Sequence, residues 1–106
     1  MNESMKQDVS TSELAIKLII KMAALDKNML FADGFHDAVI GMTYRDDELV
    51  ALYSKDKVIE ILQRDHEMSL EDAFEYFDYN IEGSYVGQKT PLYYSFYQED
   101  GPDEWY

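Results

Sequence analysis

Two short runs of strand-forming residues, Ala38–Tyr44 and Leu49–Tyr53, stand on either side of Arg45-Asp46-Asp47-Glu48. A four-residue polar loop joins neighbouring strands antiparallel, so this stretch commits the chain to a β-hairpin. Strand alternation puts Ile40 and Met42 on one face and Val39 on the other, and Gly41 inside the run marks a bulge or a close backbone approach. A lone hairpin is marginal in water and needs further strands or helices over its apolar face. The rest of the 106 residues must supply that cover within one domain.

Three helices are predicted. The first spans Ser12–Leu25, with Ser10 and Glu13 at capping-box spacing. Its apolar stripe is Leu14, Leu18, Met22 and Leu25, widened by Ile16, Ile19 and Ile20, with Lys17 and Lys21 on the remaining face. A stripe this wide needs cover on more than one side, from the domain itself or from a second chain. Ser54 caps a helix over Lys55–Asp65 with Val58, Ile61 and Leu62 on its apolar face. Ser69 opens a third, whose core stripe is Leu70, Phe74, Phe77 and Ile81, ended by Gly83 or Gly87. Pro91 leads into a last strand, Leu92–Tyr97. The order α-β-β-α-α-β is the order of an α+β fold, a small three-stranded antiparallel sheet with helices packed on one face. Residues 1–11 read as a flexible leader, 12–97 as the acidic domain and 98–106 as an acidic tail that frays.

The chain holds 22 Asp and Glu against 9 Lys and Arg, a formal charge of −13. Phosphate-backbone binding requires Lys and Arg to displace counterions, so direct nucleic-acid binding is excluded, as is docking on an anionic membrane. The longest apolar run, Leu14–Leu25, is broken by two lysines and is too short to span a bilayer. With no cysteine there are no disulfides or thiolate metal sites, which fits a cytoplasmic protein. The acidity is uneven. Residues 1–32 are net neutral, 33–68 carry −5 and 69–106 carry −8.

Part of that charge is patterned. Glu71, Glu75, Asp78 and Glu82 fall at i, i+4, i+7 and i+11 on the third helix. At about 100° per residue they lie within a band of roughly 60°. Like charges one turn apart cost a few tenths of a kcal/mol per pair, and no Lys or Arg lies between Glu67 and Gln88 to offset them. One turn rises about 5.4 Å, similar to the spacing of phosphates along a nucleic-acid strand, so such a row fits a basic groove built for DNA or RNA. The loop acids Asp46, Asp47 and Glu48 and the tail acids Glu99, Asp100, Asp103 and Glu104 extend the acidic surface. The competing reading is a solvated face that keeps the protein soluble. Tyr76 and Tyr79 stand among the acids, a composition of protein-binding surfaces. Tyr93 and Tyr94 put aromatics on both faces of the last strand, one for the core and one for another element or a partner.

Enzyme signatures are sparse. No P-loop, G-x-S-x-G, G-x-G-x-x-G or H-E-x-x-H motif occurs. Asp33, His36 and Asp37 form a D-x-x-H-D cluster able to hold a metal or orient an imidazole, but turn and element-start residues explain it more simply. The expectation is a protein without catalytic residues, metal or cofactor.

The segments Asp33-Gly34-Phe35-His36-Asp37-Ala38-Val39-Ile40-Gly41, Asp56-Lys57-Val58-Ile59-Glu60-Ile61-Leu62, Ala73-Phe74-Glu75-Tyr76-Phe77-Asp78-Tyr79-Asn80 and Tyr85-Val86-Gly87-Gln88-Lys89-Thr90-Pro91 together resemble a family of small acidic proteins of phages and prophages, mostly of unassigned role. The resemblance covers Asp33–Phe96, and the helix at Leu14–Leu25 is an addition to its usual pattern. It carries over no active site. It implies a phage product in the cytoplasm of a bacterial host that binds and inhibits host machinery, either a nucleic-acid-handling protein or an anti-phage defence complex with a basic surface. The alternative is an oligomeric adaptor or structural module, such as a homodimer, assembled through the apolar leader helix and the aromatic last strand, whose acidity serves solubility alone.

Overall fold

The structure is a computed structural model that describes residues 12–95. The leader, the Ser10 cap, Phe96, Tyr97 and the tail acids lie outside the described residues. In chain order the elements are α1 (Glu13–Leu25), a 3-10 turn (His36–Ala38), β1 (Val39–Arg45), β2 (Glu48–Ser54), α2 (Lys55–His66), α3 (Leu70–Tyr76) continued by a π-helical segment (Phe77–Glu82), and β3 (Leu92–Tyr94). This is an α+β fold in the predicted order.

Serine side chains start all three helices. Ser12 Oγ accepts from the Ala15 N–H, Ser54 from Lys57 and Ser69 from Asp72. Each satisfies a backbone donor that the first turn leaves without an intrahelical partner. For α1 the cap is therefore Ser12.

The sheet corrects one expectation. Its order is β1-β2-β3, with β1 antiparallel to β2 but β3 parallel to β2. The sheet is mixed because α2 and α3 lie between β2 and β3. A helical crossover carries the chain back to the end from which β2 started, so the next strand runs in the same direction. Leu52, Tyr53 and Ser54 pair with Leu92, Tyr93 and Tyr94.

The hairpin is tighter than the sequence implies. Arg45 pairs with Glu48, leaving only Asp46 and Asp47 in the loop. Asp46 adopts φ +57°, the left-handed region that two-residue hairpin turns require and that Asp tolerates better than most residues. A register shift between Val39 and Gly41 makes a bulge at Ile40. The extra residue inverts the alternation, so Val39 joins Met42 in the core cluster while Ile40 is exposed, contrary to the facing expected from strict alternation.

One hydrophobic cluster joins the sheet to every helix. Ala51 and Tyr53 of β2 meet Met22 of α1, Ile61 and Leu62 of α2, and Ala73 of α3. Phe77 is fully buried and meets Tyr93 edge-on at 5.3 Å between ring centroids, and Tyr93 lies 5.6 Å from Tyr53. Buried Tyr53 also ties in the loop before β1, its hydroxyl oxygen accepting from the Ala32 N–H at 2.8 Å. Tyr93 faces inward and Tyr94 is exposed, as alternation requires.

The helices bury narrower faces than their apolar stripes. On α1, Ala15 and Met22 are buried and Leu18 and Ile19 pack against the core. Leu14 and Leu25 are each 68% exposed and Ile20 63%. Leu70, expected in the core stripe of α3, is also exposed. Among the described residues, no helix is long and apolar enough to cross a membrane.

Candidate functional site

Ser69 starts α3 and so fixes the phase of the acidic residues after it. Glu71, Glu75, Asp78 and Glu82 are all exposed. Among the described residues none of them forms a salt bridge. The ion pairs lie elsewhere: Glu13–Lys17, Lys57–Glu60, Arg64–Asp65, and Lys89 with Asp26 and Glu48. Their charge is left facing solvent.

The row is not straight. The sequence pattern assumes α-helical pitch throughout, but Asp78 and Glu82 lie in the π-helical segment. Hydrogen bonding to i+5 turns the chain less per residue than the α-helical ~100°, so these two carboxylates rotate out of line with Glu71 and Glu75. The band is wider than the roughly 60° expected. The change of pitch begins where the Phe77 N–H is shared between the Ala73 and Phe74 carbonyls. It ends at Gly83, where a Cβ would meet the Asp78 carbonyl oxygen at 3.0 Å and that of Tyr79 at 3.3 Å. Glycine permits this close approach.

The π-helical segment also arranges the tyrosines. Glu75, Tyr76 and Tyr79 line a shallow concavity with Met68, Asp72 and Asn80. Tyr79 is 77% exposed, although it lies on the same helical segment as fully buried Phe77.

The hairpin acids form a separate concavity. Asp46, Asp47 and Glu48 line it with Tyr85 and Gln88. Glu48 differs from its two neighbours in that its carboxylate lies 3.2 Å from Lys89 Nζ. Lys89 also donates to the Leu49 carbonyl at 2.9 Å and pairs with Asp26 in the loop after α1. That hydrogen bond holds the Asp26 carboxyl below its ordinary range and raises Lys89. Arg45 is turned inward too, its guanidinium donating to the Gln88 and Pro91 carbonyls. Asp46 and Asp47 keep exposed carboxylates.

Asp33, His36 and Asp37 serve three different places. Asp37 accepts from the Ser12 N–H at 2.9 Å and anchors the start of α1. His36 lies in the 3-10 turn with its Nδ1 buried and lacking a hydrogen-bond partner. Asp33 is exposed on the rim of a cleft. Among the described residues no three His, Cys, Asp or Glu side chains converge to hold a metal ion.

That cleft is the feature that sequence reasoning missed. It encloses about 410 Å³ between the loop before β1, the end of the π-helical segment and the loop before β3. Phe31, Phe35, Ile81, Pro91 and Tyr93 supply apolar wall, and Asn80 joins it to the concavity of Tyr76 and Tyr79. Its walls come from residues 30–35 and 80–93, two stretches far apart in sequence, so no local pattern announces it. Gly83 and the turn after it were the nearest signal.

Carboxylates and tyrosyl hydroxyls around an apolar hollow can pair with cations and accept hydrogen bonds while burying an apolar group. Comparison with known proteins places the chain with none of them: no family model, curated protein or solved structure matches.

Proposed function

We propose that this protein is a binding module that engages a basic surface on another protein through the acidic, tyrosine-bearing face of α3 and its π-helical continuation. The observation that carries this reading is that Glu71, Glu75, Asp78 and Glu82 stand exposed without a cationic partner among the described residues, while exposed Tyr76 and Tyr79 lie among them. Desolvated tyrosines contribute area and hydrogen bonds, and the carboxylates contribute steering and specificity. The bent row argues for a basic protein surface more than for strict imitation of evenly spaced phosphates. On the resemblance to small phage and prophage proteins, the target is a host nucleic-acid-handling or defence protein in the bacterial cytoplasm, and the effect is inhibition. The module itself is non-enzymatic and binds neither nucleic acid nor membrane.

The test is capture from bacterial lysate by the full chain, at low and high salt, beside a variant carrying Glu71→Gln, Glu75→Gln, Asp78→Asn and Glu82→Gln. The expected result is a basic protein released by salt and lost from the variant. Equal capture by the variant would sink the acidic-face reading.

A second reading, a homodimer or adaptor assembled through α1, is favoured by exposed Leu14, Ile20 and Leu25 on one helix. Light scattering decides it. A dimer that becomes a monomer on changing all three to serine supports assembly through α1, and a monomeric parent chain excludes it.

A further inference from the structure

We infer that the cleft beside the π-helical segment receives a single large apolar side chain, aliphatic or aromatic, from a lysine- or arginine-rich segment of the protein partner. The inference rests on the proposed acidic-face reading and gives that face its anchor. Three observations carry it. The hollow, about 410 Å³, is within the range of binding pockets and is walled by Phe31, Phe35, Ile81 and Tyr93. Leu30 and Val86 at its mouth are 39% and 61% exposed, so apolar surface is left for an incoming group. No Lys or Arg lines either the cleft or the neighbouring concavity, whereas Asp33 lines the cleft and Asp72 and Glu75 line the concavity. An apolar hollow bordered only by carboxylates and neutral polar groups selects an apolar side chain flanked by cations. A bordering cation would instead favour an acidic peptide.

Asn80 lines both hollows, so one short segment can place its apolar side chain in the cleft and a basic neighbour among Glu75, Tyr76 and Tyr79. Hot spots at protein interfaces have this form, an anchor in a pocket with polar contacts around it.

The probes are two short lysine-rich peptides, identical except for a central phenylalanine in one and alanine in the other. Each is titrated into isotopically labelled full-length protein at low salt, with affinity and backbone amide shifts recorded. The phenylalanine peptide is expected to bind about tenfold more tightly, the effect of burying much of one such side chain. Its largest shifts are expected at Phe35, Ile81 and Tyr93. Changing the exposed residues Leu30 and Val86 to serine is expected to abolish the advantage and leave the alanine peptide's affinity unchanged. Equal affinities, with shifts confined to the acidic face, would overturn the anchor and leave the acidic-face reading standing. A phenylalanine advantage with shifts on α1 would overturn the cleft in favour of the α1 surface. Binding of neither peptide would overturn both readings.

Discussion

Tyr53 has two roles that a phenylalanine could not both fill. Its ring packs at the centre of the core, and its hydroxyl oxygen receives the Ala32 N–H. Tyr53→Phe keeps the packing and leaves that donor without its partner, so chemical denaturation should show a loss of about 1 kcal/mol. Burial also pushes the Tyr53 hydroxyl up to about 12 from an ordinary 10. The folded state therefore holds the proton more tightly than the unfolded state. Stability attributable to Tyr53 is complete below pH 10 and is lost as pH rises toward 12, and Tyr53→Phe should flatten this decline. Gly83 is a residue where the packing of the backbone leaves little room for a side chain. A methyl there meets the Asp78 carbonyl at 3.0 Å, so Gly83→Ala requires that carbonyl to give way by a few tenths of an ångström. A lowered thermal midpoint together with amide shifts at Asn80 and Ile81 is the expected outcome, and an unchanged spectrum beyond the substitution would contradict it.

Among the elements, the long return to β3 is held by side chains as well as by the sheet. Lys89 joins the segment before β3 to the hairpin through Glu48 and the Leu49 carbonyl, and to the end of α1 through Asp26. Lys89→Met removes all of these ties and should lower the unfolding midpoint, more at low salt than at high salt because the groups are partly solvated. Since Asp26 is held below its ordinary value of 3.8, its contribution is present above that pH and lost as pH falls further. The acid-side loss of stability should therefore shrink in the Lys89 variant. Ser12, Ser54 and Ser69 were legible as helix starts or caps from local chemistry alone. The sheet was not fully legible. The two helices between β2 and β3 are themselves the signal for a parallel crossover, which the expectation of an antiparallel sheet left out of account.

At the scale of the molecule, the charge is unevenly distributed along the chain. Residues 1–32 sum to zero, whereas the remainder carries all of the −13. A molecule with this charge repels its own copies except where the surface is neutral, and the exposed residues of α1 with Lys17 and Lys21 form such a surface. If α1 mediates self-association, raising the ionic strength should strengthen the dimer by screening that repulsion, whereas binding to a basic partner should weaken. The opposite salt responses separate the two modes in sedimentation and in pull-down.

Local chemistry in the sequence determined the helix starts, the hairpin, the element order and the acidic patterning, because each depends on residues within a few positions of one another. Tertiary structure decided the rest. Whether an apolar helix residue is core or surface depends on which face finds cover, and Leu14, Leu25 and Leu70 found none among the described residues. The bulge at Ile40 reset the facing of β1. The π-helical segment bent a row of acids that α-helical pitch would have kept straight. The cleft exists only where segments far apart in sequence meet, since its walls are contributed by packing rather than by any one pattern.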